Sequence, residues 1–269
     1  MGVGLLGARI TADQITGLGW FTALTVVAAV VTTIAGGLLM ARWLGMTRAQ
    51  GVLSGGAVAI CGASAAMAIS AVLPRQKDHE RFTLMVVITV TVLSTVAMVL
   101  YPLVARALDL GPGLAGLFIG GTIHDVAQVV GAGFTLGPQT GEIATIVKLF
   151  RVAMLAAVVM TVSLAFKHSR EQSTVAAPSP MADRPPFVPW FLWLFIALVV
   201  VNSAGALTAP LQQGLGWLSR ACLVVAIAAL GMKTSLMHLA EAGWRPILLI
   251  LLETLWMAAL VIGIIAIRL

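Results

Sequence analysis

"GGTIHDVAQVVGAG", residues 120–133, sets His124, Asp125 and Gln128 in a run otherwise made of small and aliphatic residues. The run lies inside an apolar segment, residues 113–135, long enough to cross a bilayer as a helix. Polar and ionisable groups at such a depth are expensive and need partners or a task. His124 and Gln128, spaced i and i+4, share one helix face, and Asp125 points about 100° away. Eight glycines across residues 111–138 make a continuous helix there a poor expectation.

The rest of the chain has the same character. Of its 269 residues 60% are hydrophobic and only 10% charged, against roughly 25% charged in a soluble domain. The fold class is therefore an all-α polytopic membrane protein. Spans are expected at 20–42, 51–73, 83–105, 113–135, 143–166, 187–206, 216–235 and 245–267. Residues 1–18 are too short and too polar for a ninth, and read as the end of a helix that begins before this chain, which is expected to be N-terminally shortened. The whole of 1–269 reads as one transmembrane domain. Residues 167–186, "KHSREQSTVAAPSPMADRPP", form a solvated linker, cytoplasmic by the excess of Lys and Arg in its set of loops.

The net charge of +6 sits mostly in connections and makes no basic stripe interleaved with aromatics, so nucleic acid is not an expected partner. Cys61 and Cys222 fall in separate apolar segments and read as buried thiols. A metal site is not expected, because His79, His168 and His238 fall at membrane edges, and no cofactor is expected either.

An internal repeat is expected from residues 6–20 and 230–244, where Leu6, Gly7, Gly19 and Trp20 match Leu230, Gly231, Gly243 and Trp244. If the copies run oppositely through the membrane they form an inverted repeat of the secondary-transporter kind. The alternative is two unrelated helix ends. Residues 54–70, rich in Gly, Ala and Ser, suit either close helix packing or a helix broken near Cys61–Ser64.

Lys148 and Arg151, at i and i+3 in "EIATIVKLFRVAMLAAVVM", admit two readings. Near an interface they snorkel to water. Facing the bundle they form a cationic site for an oxyanion, Arg151 as a fork and Lys148 as a point charge. His124, Asp125 and Gln128 handle a coupling proton in the preferred reading and make structural contacts in the other. Asn202 and Ser203 suggest a polar lining, Arg9 and Lys233 stand near membrane faces, and Glu253 is left without a role. Fixed positive charges outnumber negative ones among these groups, which favours an anionic substrate.

"LLGARITADQI", "AVAICGASAAMAISAVL", "GTIHDVAQVVGAG", "ATIVKLFRVAML", "PWFLWLFIALVVVNS" and "AALGMKTSL" together resemble the bacterial sulfate exporter family of inner-membrane proteins. Members are usually longer at the N-terminus. The family is distantly similar to bile-acid/sodium symporters and sodium/proton antiporters. The resemblance implies inverted repeats with helices broken near 56–64 and 120–125, and export of sulfate or an organosulfonate by alternating access. Lys148 and Arg151 are then expected to bind anionic oxygens, helped by backbone donors at Gly62–Ser64 and Gly120–Thr122, including Gly121, with Asn202 in the lining. The expected partners are a small anionic solute, a coupling proton or sodium ion, the lipid bilayer and a second copy of the chain. Three other readings stay open, one of them a passive channel whose flux neither saturates nor couples to a gradient. Another is a cation exchanger with Asp125 as ion ligand. The third is an intramembrane enzyme pairing His124 and Asp125 with Ser64 or Cys61.

Overall fold

The computed structural model describes residues 19–74, 79–166, 190–233 and 244–268, with Leu5 and Ala8 besides. The described residues form helices and their connections. The helices are α1 (Gly19–Trp43), α2 (Arg48–Ala59), α3 (Ala63–Val72), α4 (His79–Ala107), α5 (Pro112–Thr122), α6 (Val126–Leu136), α7 (Pro138–Ala165), α8 (Trp190–Ser203), α9 (Ala209–Lys233) and α10 (Trp244–Ala266). α1, α4, α7 and α10 are each long and apolar enough to cross a membrane. The architecture is that of an all-helical polytopic membrane protein. The linker 167–186 and most of both repeat copies lie outside the described residues.

Local chemistry sets the boundaries. Thr47 and Gln50 form a capping box at the start of α2, each side chain accepting from the other's backbone N–H. Pro112 and Pro138 stand in the first turns of α5 and α7, where a missing N–H costs nothing. α1 carries Trp20 and Trp43 at its two ends, both largely exposed. Its 25 residues span about 37 Å, enough for a bilayer with an indole at each interface.

Small residues bring the helices together. A Cβ on Gly37 of α1 would lie 2.8 Å from the Gly51 carbonyl oxygen and 3.0 Å from the Gly55 Cα of α2. On α5, Gly116 and Gly120 make the same kind of approach to Ile143, Ala144 and Val147 of α7, and Gly133 of α6 lies against Gly141. Among apolar helices in lipid, such backbone proximity replaces the hydrophobic effect as the source of packing energy.

Two of the expected spans are broken. Residues 51–73 become α2 and α3, interrupted at Ile60–Gly62, and residues 113–135 become α5 and α6, interrupted at Ile123–Asp125. Gly62 carries the first break at φ +65° and ψ −122°, a region costly for any residue with a Cβ. Both breaks fall where helices broken near 56–64 and 120–125 were expected, and the difference is one of register. The helix expected at 143–166 begins at Pro138, so Lys148 and Arg151 stand near its middle rather than in its first third.

Candidate functional site

The two breaks meet. A Cβ on Gly62 would lie 3.5 Å from the Cβ of His124 and 3.0 Å from Val90 of α4. α2 and α5 therefore end, and α3 and α6 begin, around one point. Every helix end there leaves backbone groups without intrahelical partners, and in a bilayer core those groups must be satisfied by protein.

Lys148 and Arg151 satisfy the carboxyl ends. Both are fully buried, so the snorkelling reading fails. Lys148 Nζ donates to the carbonyls of Ile60 and Ile123. Arg151 Nε donates to Ala59 at 2.9 Å, and Nη1 donates to Gly120 at 3.1 Å and Ile123 at 3.2 Å. Its Nη2 donates to Val58 at 3.0 Å and Ala59 at 2.7 Å, with the Met257 sulfur of α10 at 3.4 Å. Each carboxyl end carries roughly −0.5 of an elementary charge, so two such ends together offset about one of the two cations. The guanidinium fork serves four carbonyls across both broken helices, more than the three donors of an ammonium can.

The second amino end is closed as well. The Asp125 carboxylate caps α6, accepting from Ala127 N at 2.8 Å and Gln128 N at 3.2 Å. Ser94 of α4 accepts from the backbone N–H groups of His124 and Asp125. His124 is fully buried, with Nδ1 3.2 Å from the Val58 carbonyl and Nε2 3.1 Å from the Thr254 hydroxyl. A carbonyl can only accept, so Nδ1 carries a proton toward Val58, while Nε2 shares the single Thr254 hydroxyl proton with the Ile250 carbonyl 2.8 Å from that oxygen. Gln128 donates to Thr95 at 2.9 Å, while its buried Oε1 has no hydrogen-bond partner.

The amino end of α3 differs. Gly62 offers no side-chain cap, and the first intrahelical bond runs from Ala66 N to Gly62 O. The N–H groups of Ala63 and Ser64 precede that bond, and the Ser64 side chain is exposed.

These placements correct one expectation. Gly120, Gly121 and Thr122 do not offer backbone donors. They form the carboxyl end of α5, where the Gly120 carbonyl accepts from Arg151 and the Thr122 hydroxyl donates back to Phe118. Asn202 is buried, and its Oδ1 accepts from Gln212 on α9 at 2.7 Å. His124 pairs with Val58 and Thr254 rather than with Ser64 or Cys61, the nucleophiles of the enzyme reading. Ser94, Thr95, Thr254 and Met257 were not singled out in the sequence. Nothing marks them there, since hydroxyls in apolar helices commonly bond their own backbone, as Thr91 does to Val87.

The capping role of Asp125 is testable. Asp125→Ala is expected to lower stability by about 1 kcal/mol, the usual cost of losing an N-cap. Asp125→Asn keeps an acceptor and is expected to unfold with the parent in thermal denaturation of the purified protein. A cation exchanger using Asp125 as ion ligand requires instead that Asp125→Asn abolish transport.

Residues 1–250 match the family model described as conserved hypothetical protein 698. The chain belongs to that family. Among its relatives, the UPF0324 membrane protein CT0845 of Chlorobaculum tepidum is 49% identical over 263 residues, covering 98% of this chain and 72% of the relative. The UPF0324 membrane protein TauZ of Paracoccus denitrificans is also 49% identical, over 97% of this chain and 76% of its own length. The UPF0324 membrane protein RB0971 of Rhizobium meliloti is 48% identical over 98% of this chain and 75% of its own. No solved structure matches the chain. Members of the conserved hypothetical protein 698 family are thus named as membrane proteins, in agreement with the four long apolar helices of this chain.

Proposed function

We propose that this chain is a multi-pass secondary transporter of the bacterial inner membrane that moves a small oxyanion, an organosulfonate or sulfate, by alternating access. The observation that carries this reading is the pair of fully buried cations, Lys148 and Arg151, where two membrane helices break. The four half-helix ends contribute about −0.5 each at α2 and α5 and about +0.5 each at α3 and α6, cancelling to first order. Lys148 and Arg151 against Asp125 then leave a surplus of about one positive charge near the bilayer midplane, on the same order-of-magnitude count. Such a centre attracts an anion and repels a cation.

Because the two cations are engaged with carbonyls, the anion is assigned to the uncapped amino end of α3. There the N–H groups of Ala63 and Ser64 and the Ser64 hydroxyl are available, with the cations behind them. Lys148 and Arg151 supply field rather than direct contacts. The name TauZ carried by one relative hints at a taurine-related role, and taurine is an organosulfonate, which favours that class over sulfate.

Counterflow of labelled taurine and labelled sulfate in vesicles containing the purified chain tests this reading. Saturable exchange inhibited by other sulfonates, and not by alkylammonium ions, is the expected result. Ser64→Asp places a carboxylate in the first turn of α3, which favours the helix but occupies the anion position. Exchange is expected to fall about tenfold or more, equivalent to at least about 1.4 kcal/mol, with thermal stability unchanged or higher. Undiminished exchange in this variant would remove the α3 end as the binding place.

A further inference from the structure

One buried acid takes no part in the centre described so far. Glu253 stands nine residues into α10, about 13 Å along the helix, and is 1% exposed. Its Oε1 accepts from the Ser54 hydroxyl of α2 at 2.8 Å, and its Oε2 has no hydrogen-bond partner. The carboxyl rests against the backbone of α1 at Gly37, where a Cβ would lie 2.5 Å from Oε1. One turn earlier on α1, the hydroxyl of Thr33 is also buried and unpartnered.

No cation balances this acid among the described residues. On the helices packed against α10, Arg42 ends α1, Arg48 begins α2, and His79, Glu80, Arg81 and Arg106 occupy the first and last turns of α4. α5 carries no titratable side chain. α10 itself connects Glu253 to the centre. Thr254, the next residue, meets His124, and Met257, one turn on, meets Arg151. A carboxylate with one oxygen bare in this surrounding costs several kcal/mol more than the neutral acid does.

We infer that Glu253 is the proton-carrying group of the transport cycle, in place of His124, whose ring nitrogens are both engaged by Val58 and Thr254. The inference rests on the anion reading for its coupling and on the Glu253 geometry alone for its proton. With Glu253 neutral, the surplus of about one positive charge admits a monovalent sulfonate. When the acid O–H bond breaks and its proton passes to water on the side to which the site is open, Glu253 becomes a carboxylate. The central sum then falls to about zero, on the same count. The anion loses its electrostatic hold, so proton and anion are bound and released together.

Two measurements test this on the full chain in vesicles. The first needs no substrate: treatment with dicyclohexylcarbodiimide, which enters lipid and modifies neutral buried carboxylic acids, followed by peptide mass spectrometry across acidic to alkaline pH. Modification at Glu253 that declines as pH rises supports the proton site. Its absence at every pH overturns it. The second compares parent and Glu253→Gln in taurine transport. Accumulation driven by a pH gradient is expected to fall about tenfold or more, while counterflow without a gradient stays within about twofold, because the amide keeps the neutral form's charge. Gradient-driven accumulation that survives in Glu253→Gln overturns the coupling role. If the parent carries neither taurine nor sulfate yet labels at Glu253, the anion reading falls and the proton site stands.

Discussion

Arg151→Ala is expected to leave no folded protein. Its removal strips the donors from the carbonyls of Ala59 and Gly120 and one of two from those of Val58 and Ile123. Each orphaned buried carbonyl costs about 1–3 kcal/mol. Two of them, with the two carbonyls left weakened, reach the lower end of the whole stability of an ordinary domain, about 5–15 kcal/mol. Within a bilayer, water offers less repair than usual. Arg151→Lys retains the charge but has too few donors for all four carbonyls, and is expected to fold with a loss of about 2–4 kcal/mol, between the cost of one lost charged hydrogen bond and several. Size-exclusion profiles and thermal unfolding in detergent read both variants. A monodisperse Arg151→Ala protein unfolding with the parent would show that the helix ends are satisfied by something other than this guanidinium.

Gly120→Ala comes second in expected size. Its added methyl would overlap the Ala144 carbonyl oxygen of α7 and sit 2.9 Å from the Val147 Cβ. Neither is the free end of a flexible side chain, so α5 must move away from α7. That movement also draws the Gly120 carbonyl from Arg151, 3.1 Å away in the parent. Overpacking costs about 1–3 kcal/mol by itself, and the lost bond to a charged donor adds about 1.5–3 kcal/mol. Gly113→Ala provides the control on the same helix. A Cβ there meets nothing within 4 Å, so the substitution is expected to be neutral or stabilising by about 0.5–1 kcal/mol through helix entropy. Equal unfolding temperatures for the two variants would show that the close approach of α5 to α7 is not needed.

The two breaks were legible in sequence for an intelligible reason. Glycine with small residues at 54–70, and glycine with a polar trio at 120–133, are local statements about where a helix is costly, and the breaks at Ile60–Gly62 and Ile123–Asp125 fall inside those stretches. The roles of Lys148 and Arg151 were less legible. Their partners are backbone carbonyls 25 to 93 residues away, and a carbonyl has no letter in the sequence. Charge counting therefore identified a cationic centre but pictured it as bare donors awaiting a ligand. In the folded chain most of those donors are already bonded to helix ends. Glu253 shows the opposite failure. Alone in its apolar span it gave no signal of function, because the bare Oε2, the Ser54 bond and the Gly37 backbone beside it exist only once α1, α2 and α10 pack.

By itself the sequence determined that this chain is a helical membrane protein, which segments are apolar enough to lie in lipid, and where two of them cannot run unbroken. Those are properties of short windows, fixed by side-chain transfer energy and backbone freedom. Only the tertiary structure decided which helix ends meet, which ends are capped, and which amino end stays open. Those outcomes depend on backbone dipoles and hydrogen bonds between segments far apart in the chain, whose sign and direction follow from where each helix stops and not from the residues that compose it.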